Sequence, residues 1–121
     1  MRPRFDVYWL TTTVVVAECA VGGALDLLRA PPFYPVMLSL GYPAYLATIM
    51  GVAKLIAAVI LAAPGLRRLK EWAYAGVLIN MVGAAASHIA MRQSATALIA
   101  PLMFAVLALV SWGWRPPARK L

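Results

Sequence analysis

Four apolar stretches, each long enough to cross a bilayer as a helix, take up most of this chain and leave little else for it to become. They run over residues 8–28, 42–62, 72–89 and 95–114; about 20 such residues span the hydrocarbon layer. Breaks fall between them. Arg29 and the prolines at 31, 32 and 35 end the first stretch, and Pro64-Gly65 ends the second. Arg92, Gln93 and Ser94 end the third, and Pro116-Pro117 stops the fourth. Proline removes a backbone donor and clashes with the preceding turn, so these breaks are physical ones. With 121 residues, 64% of them hydrophobic and 12% charged, a water-soluble domain could not hide its apolar surface. The mean hydropathy of +0.82 agrees. The first stretch is too long for a cleavable signal peptide and lacks a small-residue cleavage site. The expectation is an all-α integral membrane four-helix bundle, one transmembrane domain over residues 1–121, with the lipid bilayer as its first partner.

The basic residues orient the bundle. Arg2, Arg4, Arg67, Arg68, Lys70, Arg115, Arg119 and Lys120 fall on one side of a four-span chain, whereas Arg29 and Arg92 fall on the other. Cytoplasmic loops are enriched in Lys and Arg, which predicts cytoplasmic N and C termini in a multi-pass protein of the bacterial inner membrane. Tyr8, Trp9, Trp72, Tyr74, Trp112 and Trp114 gather at that same face, as an aromatic belt does. The net charge of +7 is spread over short runs flanking apolar segments, a pattern for anionic lipid rather than nucleic acid. The segment 29–41 is too apolar for an ordinary aqueous loop. It reads either as a greasy connector or as a lid over the outer mouth of the bundle.

Charged and polar residues inside a span are expensive, so they face the bundle and find partners. Glu18 in the first span, Lys54 in the second and Asn80 in the third lie at similar depth, which predicts a Glu18–Lys54 ion pair completed by Asn80. Gly76, Asn80, Gly83, Ala84 and Ser87 recur at helical spacing, and this small, polar stripe is expected to face inward. A second group, Asp26, Tyr42, Ser87, His88 and Arg92, gathers toward the outer side. Glu18, Lys54 and His88 are the candidate acid–base groups, and Asp26, Tyr42, Asn80 and Ser87 the candidate ligand-binding groups. The bland readings stand beside these: a structural ion pair that fixes helix register, and a helix-end histidine bonded to Asp26 or to interfacial water. One His and one Cys, Cys19, do not make a transition-metal site, and a lone Cys cannot form an intrachain disulfide.

Four stretches carry a resemblance: Leu40-Gly-Tyr-Pro-Ala-Tyr-Leu46, Gly51-Val-Ala-Lys-Leu55, Lys70-Glu-Trp-Ala-Tyr-Ala-Gly76 and Gly83-Ala-Ala-Ala-Ser-His88. In that order, from about Tyr8 to Pro117, the chain resembles the DoxX-like family of small bacterial membrane proteins. The resemblance implies a four-helix membrane bundle, with Glu18, Asp26, Lys54, Asn80 and His88 at or near recurring polar positions. The family takes its name from subunits of a thiosulfate:quinone oxidoreductase, and relatives are associated with sulfur and thiol redox stress. It thereby implies a module that binds a lipophilic small molecule, with a quinone as the cofactor to look for. Its protein partners would be a redox protein or a second copy of the chain. Two other functions stay open on the residues alone. One is a membrane-embedded enzyme acting on a lipophilic substrate by acid–base chemistry. The other is a small proton-coupled exporter, disfavoured by the strong charge bias and by a lysine that would neutralise Glu18. Cys19 alone and the lack of a haem-ligating His pair argue against direct electron transfer.

Overall fold

The computed structural model describes residues 3–31 and 33–119, with side chains described from residue 6 onward except at 33. Arg2, Pro32, Lys120 and the side chains of Arg4 and Phe33, all used in the reasoning above, lie outside the described residues. Five α-helices follow one another: α1 (Pro3–Leu27), α2 (Phe33–Ser39), α3 (Tyr45–Ala62), α4 (Arg67–Ala90) and α5 (Ile99–Gly113). Short 3-10 turns precede α5 (Ala95–Leu98) and close the chain (Pro117–Arg119). No strand occurs among the described residues. Four helical segments are long and apolar enough to cross a membrane: Asp6–Leu27, Tyr45–Ala62, Arg67–Ala90 and Ala95–Gly113. In lipid a chain satisfies its backbone donors internally, so uninterrupted helix is the form these stretches take. Among the described residues, those with a left-handed backbone lie in the interruptions: Arg29, Gly41, Gly65, Leu66 and Arg92.

The four long helices form a ring in which α1 packs against α3 and α5, and α4 against α3 and α5. Val15, Cys19, Ala58, Leu61, Tyr74, Val77, Met81 and Ala105 fill the centre. Leu10, Val21, Val59, Ile79 and Val106 point outward, where lipid covers them. Because the long helices alternate in direction, both termini and the α3–α4 connection lie at one end, called here the terminal end; α2 and the α4–α5 connection lie at the far end.

Three expectations change. The segment 29–41 is no extended loop: its apolar residues wind into α2. Helix α4 begins at Arg67 rather than 72: the break is confined to Pro64–Leu66, and the Leu66 carbonyl already accepts from the Lys70 N–H at 2.8 Å. Third, the stripe Gly76–Asn80–Gly83 does not face the centre. Gly76 and Gly83 are exposed and Asn80 is half-buried. The buried face of α4 is instead Lys70, Ala73, Tyr74, Val77, Met81, Ala85 and His88. That face carries the bulk needed to fill the ring, which small residues cannot supply.

The terminal end is laced together by polar groups. Lys70, fully buried, donates from Nζ to the carbonyls of Ile60, at 2.6 Å, and Ala63. Arg119 donates to the carbonyls of Leu61 (2.9 Å) and Ala62 (3.3 Å), and to the Tyr8 hydroxyl. The last turn of α3 is thus capped by two cations, which also oppose its dipole. The Arg119 guanidinium lies 4.7 Å from the Trp9 ring centre. Deeper in, the Ser111 hydroxyl sits 2.5 Å from that of Thr12 and 2.7 Å from that of Tyr74, joining α1, α4 and α5.

Candidate functional site

Where α1 meets α3, two glycines let the backbones touch. A Cβ added at Gly51 would sit 2.7 Å from Leu27 Cγ and 2.8 Å from the Gly23 carbonyl oxygen. This close approach brings Lys54, one turn beyond Gly51, against α1. Its Nζ lies 3.4 Å from Glu18 Oε1 and 3.4 Å from Asp26 Oδ2, so the ammonium bridges two carboxylates two helical turns apart. The side chains of Lys54, Glu18 and Asp26 are 13%, 9% and 2% exposed, so Asp26 is buried and the other two are largely shielded. Gly22 leaves room for the bridge: a Cβ there would lie 3.0 Å from Glu18 Oε1 and 3.4 Å from Lys54 Nζ. The Glu18–Lys54 contact expected from depth is present, but Asp26 rather than Asn80 completes it. Asp26 belongs to this cluster and not to the outer group, because the Lys54 ammonium ends between the two carboxylates, at 3.4 Å from each.

Asn80 meets Glu18 and Lys54 another way, across a cavity. A groove of about 340 Å³ lies between α3 and α4, with α1 as its floor. Glu18, Cys19, Lys54 and Asn80 line its inner part, at mid-depth. Ala53, Ala57, Ala73 and Gly76 line its middle, and Ile60, Leu69 and Trp72 the part nearest the terminal end. None of the residues that line it belongs to the 29–41 segment; they lie from mid-depth toward the terminal end. The walls are apolar and the polar groups are few and grouped, as in sites for small lipophilic molecules. At the polar end Lys54 and Asn80 are donors, Glu18 an acceptor, and Cys19 contributes a buried thiol.

The remaining candidates form a separate cluster at the far end. His88 is buried and its Nδ1 lies 2.5 Å from Gln93 Oε1. Gln93 Nε2 donates to Ser39 Oγ at 3.3 Å, and the Tyr42 hydroxyl bonds Ser87, which in turn donates to the Gly83 carbonyl at 2.8 Å. These bonds fasten α2 and the start of α3 to the end of α4. His88, Tyr42 and Ser87 do not line the groove, and His88 takes Gln93, not Asp26, as its partner. Among the described residues no three His, Cys, Asp or Glu side chains are grouped so as to hold a metal ion.

Set beside known proteins, the ordered polar pattern finds its match: the sequence pattern of the DoxX-like family fits residues 10–111 of the chain. The chain belongs to the DoxX-like family. Neither a curated protein nor a solved structure is similar enough to count as a match. The matched stretch of this DoxX-like protein takes in two of the membrane-length helices whole and most of the other two, with the ion triad and the groove. Sequence reasoning missed the alanines that line the groove, the Gly23–Gly51 contact and the Tyr8–Thr12–Tyr74–Ser111 region. One signal was legible: Gly51, Lys54 and Ala58 fall on one helical face, which marks the side of α3 that α1 must meet.

Proposed function

We propose that this DoxX-like protein binds a neutral, lipophilic molecule with a carbonyl-bearing ring, a quinone in compound class, in the groove between α3 and α4, and holds it for a redox partner in the membrane. The observation that carries the reading is the groove's composition: apolar flanks open to lipid, and donors from Lys54 and Asn80 grouped at its inner end. Charge narrows the occupant. An anionic head would meet the Glu18 carboxylate and an ammonium already shared between Glu18 and Asp26, whereas a ring carbonyl only accepts hydrogen bonds. The family's namesake, a thiosulfate:quinone oxidoreductase, supports the quinone and a sulfur-linked redox role. In this reading the protein sits in the bacterial cytoplasmic membrane with the terminal end inward, as its basic residues favour.

The binding test compares decyl-substituted benzoquinone with decanoate on detergent-solubilised protein, beside a native mass spectrum of gently extracted material. The quinone should bind and decanoate should not. Asn80→Leu should weaken quinone binding while the melting curve stays put. Equal binding of both compounds, or full affinity in Asn80→Leu, would refute the assignment. Orientation is read in a Cys19→Ser background: Ser94→Cys should react with an impermeant thiol reagent from outside intact cells, and Arg68→Cys should not. The opposite labelling would reverse the bundle.

A further inference from the structure

We infer that Gly76 sets the cross-section of the ligand, acting as a size gate on the lipid-facing side of the groove; this rests on the groove being a ligand site. A glycine inside a helix needs a reason, since it is less favourable there than alanine. The usual reasons are a left-handed backbone or a close approach by a neighbour. Gly76 has neither: it is helical, and a Cβ built on it meets nothing within 4 Å. Gly51 shows the contrast, because a Cβ there would strike backbone atoms at under 3 Å. What the missing side chain at 76 does is leave a gap, and the gap opens on the groove.

The position of that gap is specific. Gly76 lies one turn from Trp72 and one turn from Asn80 on the same face of α4, so indole, gap and amide follow in a line. Across the groove stand Ala53 and Ala57 of α3, also one turn apart, while Ala73 lies on the Gly76 side. At its middle the groove is lined by Ala53, Ala57 and Gly76 beside Ile56 and Val77, and bulkier groups stand at its ends, Ile60, Leu69 and Trp72 at one and Met81 at the other. A flat ring slides past such a waist, edge toward Lys54 and Asn80. A side chain at 76 would project into the waist without touching the fold. Gly83 is the natural control, for it is equally exposed, equally free of neighbours within 4 Å, and not among the groove residues.

The experiment measures binding of decyl-substituted benzoquinone, and of a naphthoquinone with the same tail, by equilibrium dialysis in detergent micelles. Proteins compared are the unsubstituted chain, Gly76→Ala, Gly76→Leu and Gly83→Leu, each with a melting curve. A bulky group in an apolar pocket shifts affinity by roughly 10–200-fold, so Gly76→Leu should lose at least about tenfold, and more for the two-ring quinone. Gly76→Ala should lose less, and again discriminate against the larger ring; it carries the test should leucine disturb the fold. Gly83→Leu should bind both compounds as the unsubstituted chain does. If the unsubstituted chain binds and the Gly76 variants bind both quinones unchanged, or lose both equally, the gate is overturned while the groove stands. If the unsubstituted chain binds neither, the groove assignment falls and the gate falls with it.

Discussion

Helix α3 is flanked by two seams that use glycine in opposite ways. Against α1, Gly23 and Gly51 bring the backbones so close that a single added methyl at either would press on the neighbour. Against α4, Gly76 faces open space, and the two helices part to leave a groove of about 340 Å³. The first seam is closed and charged: it carries Lys54 between Glu18 and Asp26. The second is open and apolar, touching that charge only at its inner end. Under the proposed function the centre is held rigid while the side admits a molecule from lipid, which takes one seam of each kind. The same residue type thus means contact in one seam and vacancy in the other, and the neighbours alone tell which.

The largest expected effect breaks the closed seam at its charges. Lys54→Met removes the one ammonium between two shielded carboxylates, and losing a partner from a buried ionic cluster costs about 3–5 kcal/mol. The triple variant Lys54→Met, Glu18→Gln, Asp26→Asn should recover much of that loss, since the orphaned charges leave with their partner. Thermal unfolding in detergent decides the matter. A triple variant melting no higher than Lys54→Met would mean that the three residues are not energetically coupled.

The architecture was legible in the sequence because the bilayer imposes a one-dimensional rule: apolar length, then a break. The four membrane-length helices follow from it, and Glu18 and Lys54 find each other because two buried charges at one depth have few alternatives. Lateral facing was harder to read. The stripe Gly76–Asn80–Gly83 looked like an inward seam, since small residues in membrane helices so often mark contact. In lipid, however, outward and inward faces are both apolar, and the periodicity that sorts the faces of a soluble helix loses its contrast. The α1–α3 contact depended on Gly23 pairing with Gly51 across sequence positions far apart, which no local pattern announces. Asp26 was assigned by level to the far end, although the reach of the Lys54 stem draws it into the triad. Ser111 and Thr12 were overlooked because hydroxyls are common in membrane helices and bond their own backbone, as Thr11 does here to Val7 at 2.8 Å.

The smaller effect sharpens the comparison by making the same substitution in both seams. Alanine in place of a helical glycine gains about 1 kcal/mol of helix propensity wherever the new methyl has room. At Gly83 it has room, so Gly83→Ala should raise the melting temperature slightly. At Gly51 the methyl would sit 2.8 Å from the Gly23 carbonyl oxygen and 2.9 Å from the Leu27 nitrogen, both backbone atoms that no rotamer change can move aside. Overpacking of that kind costs about 1–3 kcal/mol, enough to reverse the propensity gain. Gly51→Ala should therefore melt below the unsubstituted chain, and the two variants should differ in sign. The displacement of α3 that relieves the clash also moves Lys54, so Gly51→Ala should weaken the ion triad as well. In a Lys54→Met, Glu18→Gln, Asp26→Asn background the loss caused by Gly51→Ala should shrink. Were Gly51→Ala as stabilising as Gly83→Ala, α1 and α3 would not be in backbone contact, and the contrast between the seams would be lost.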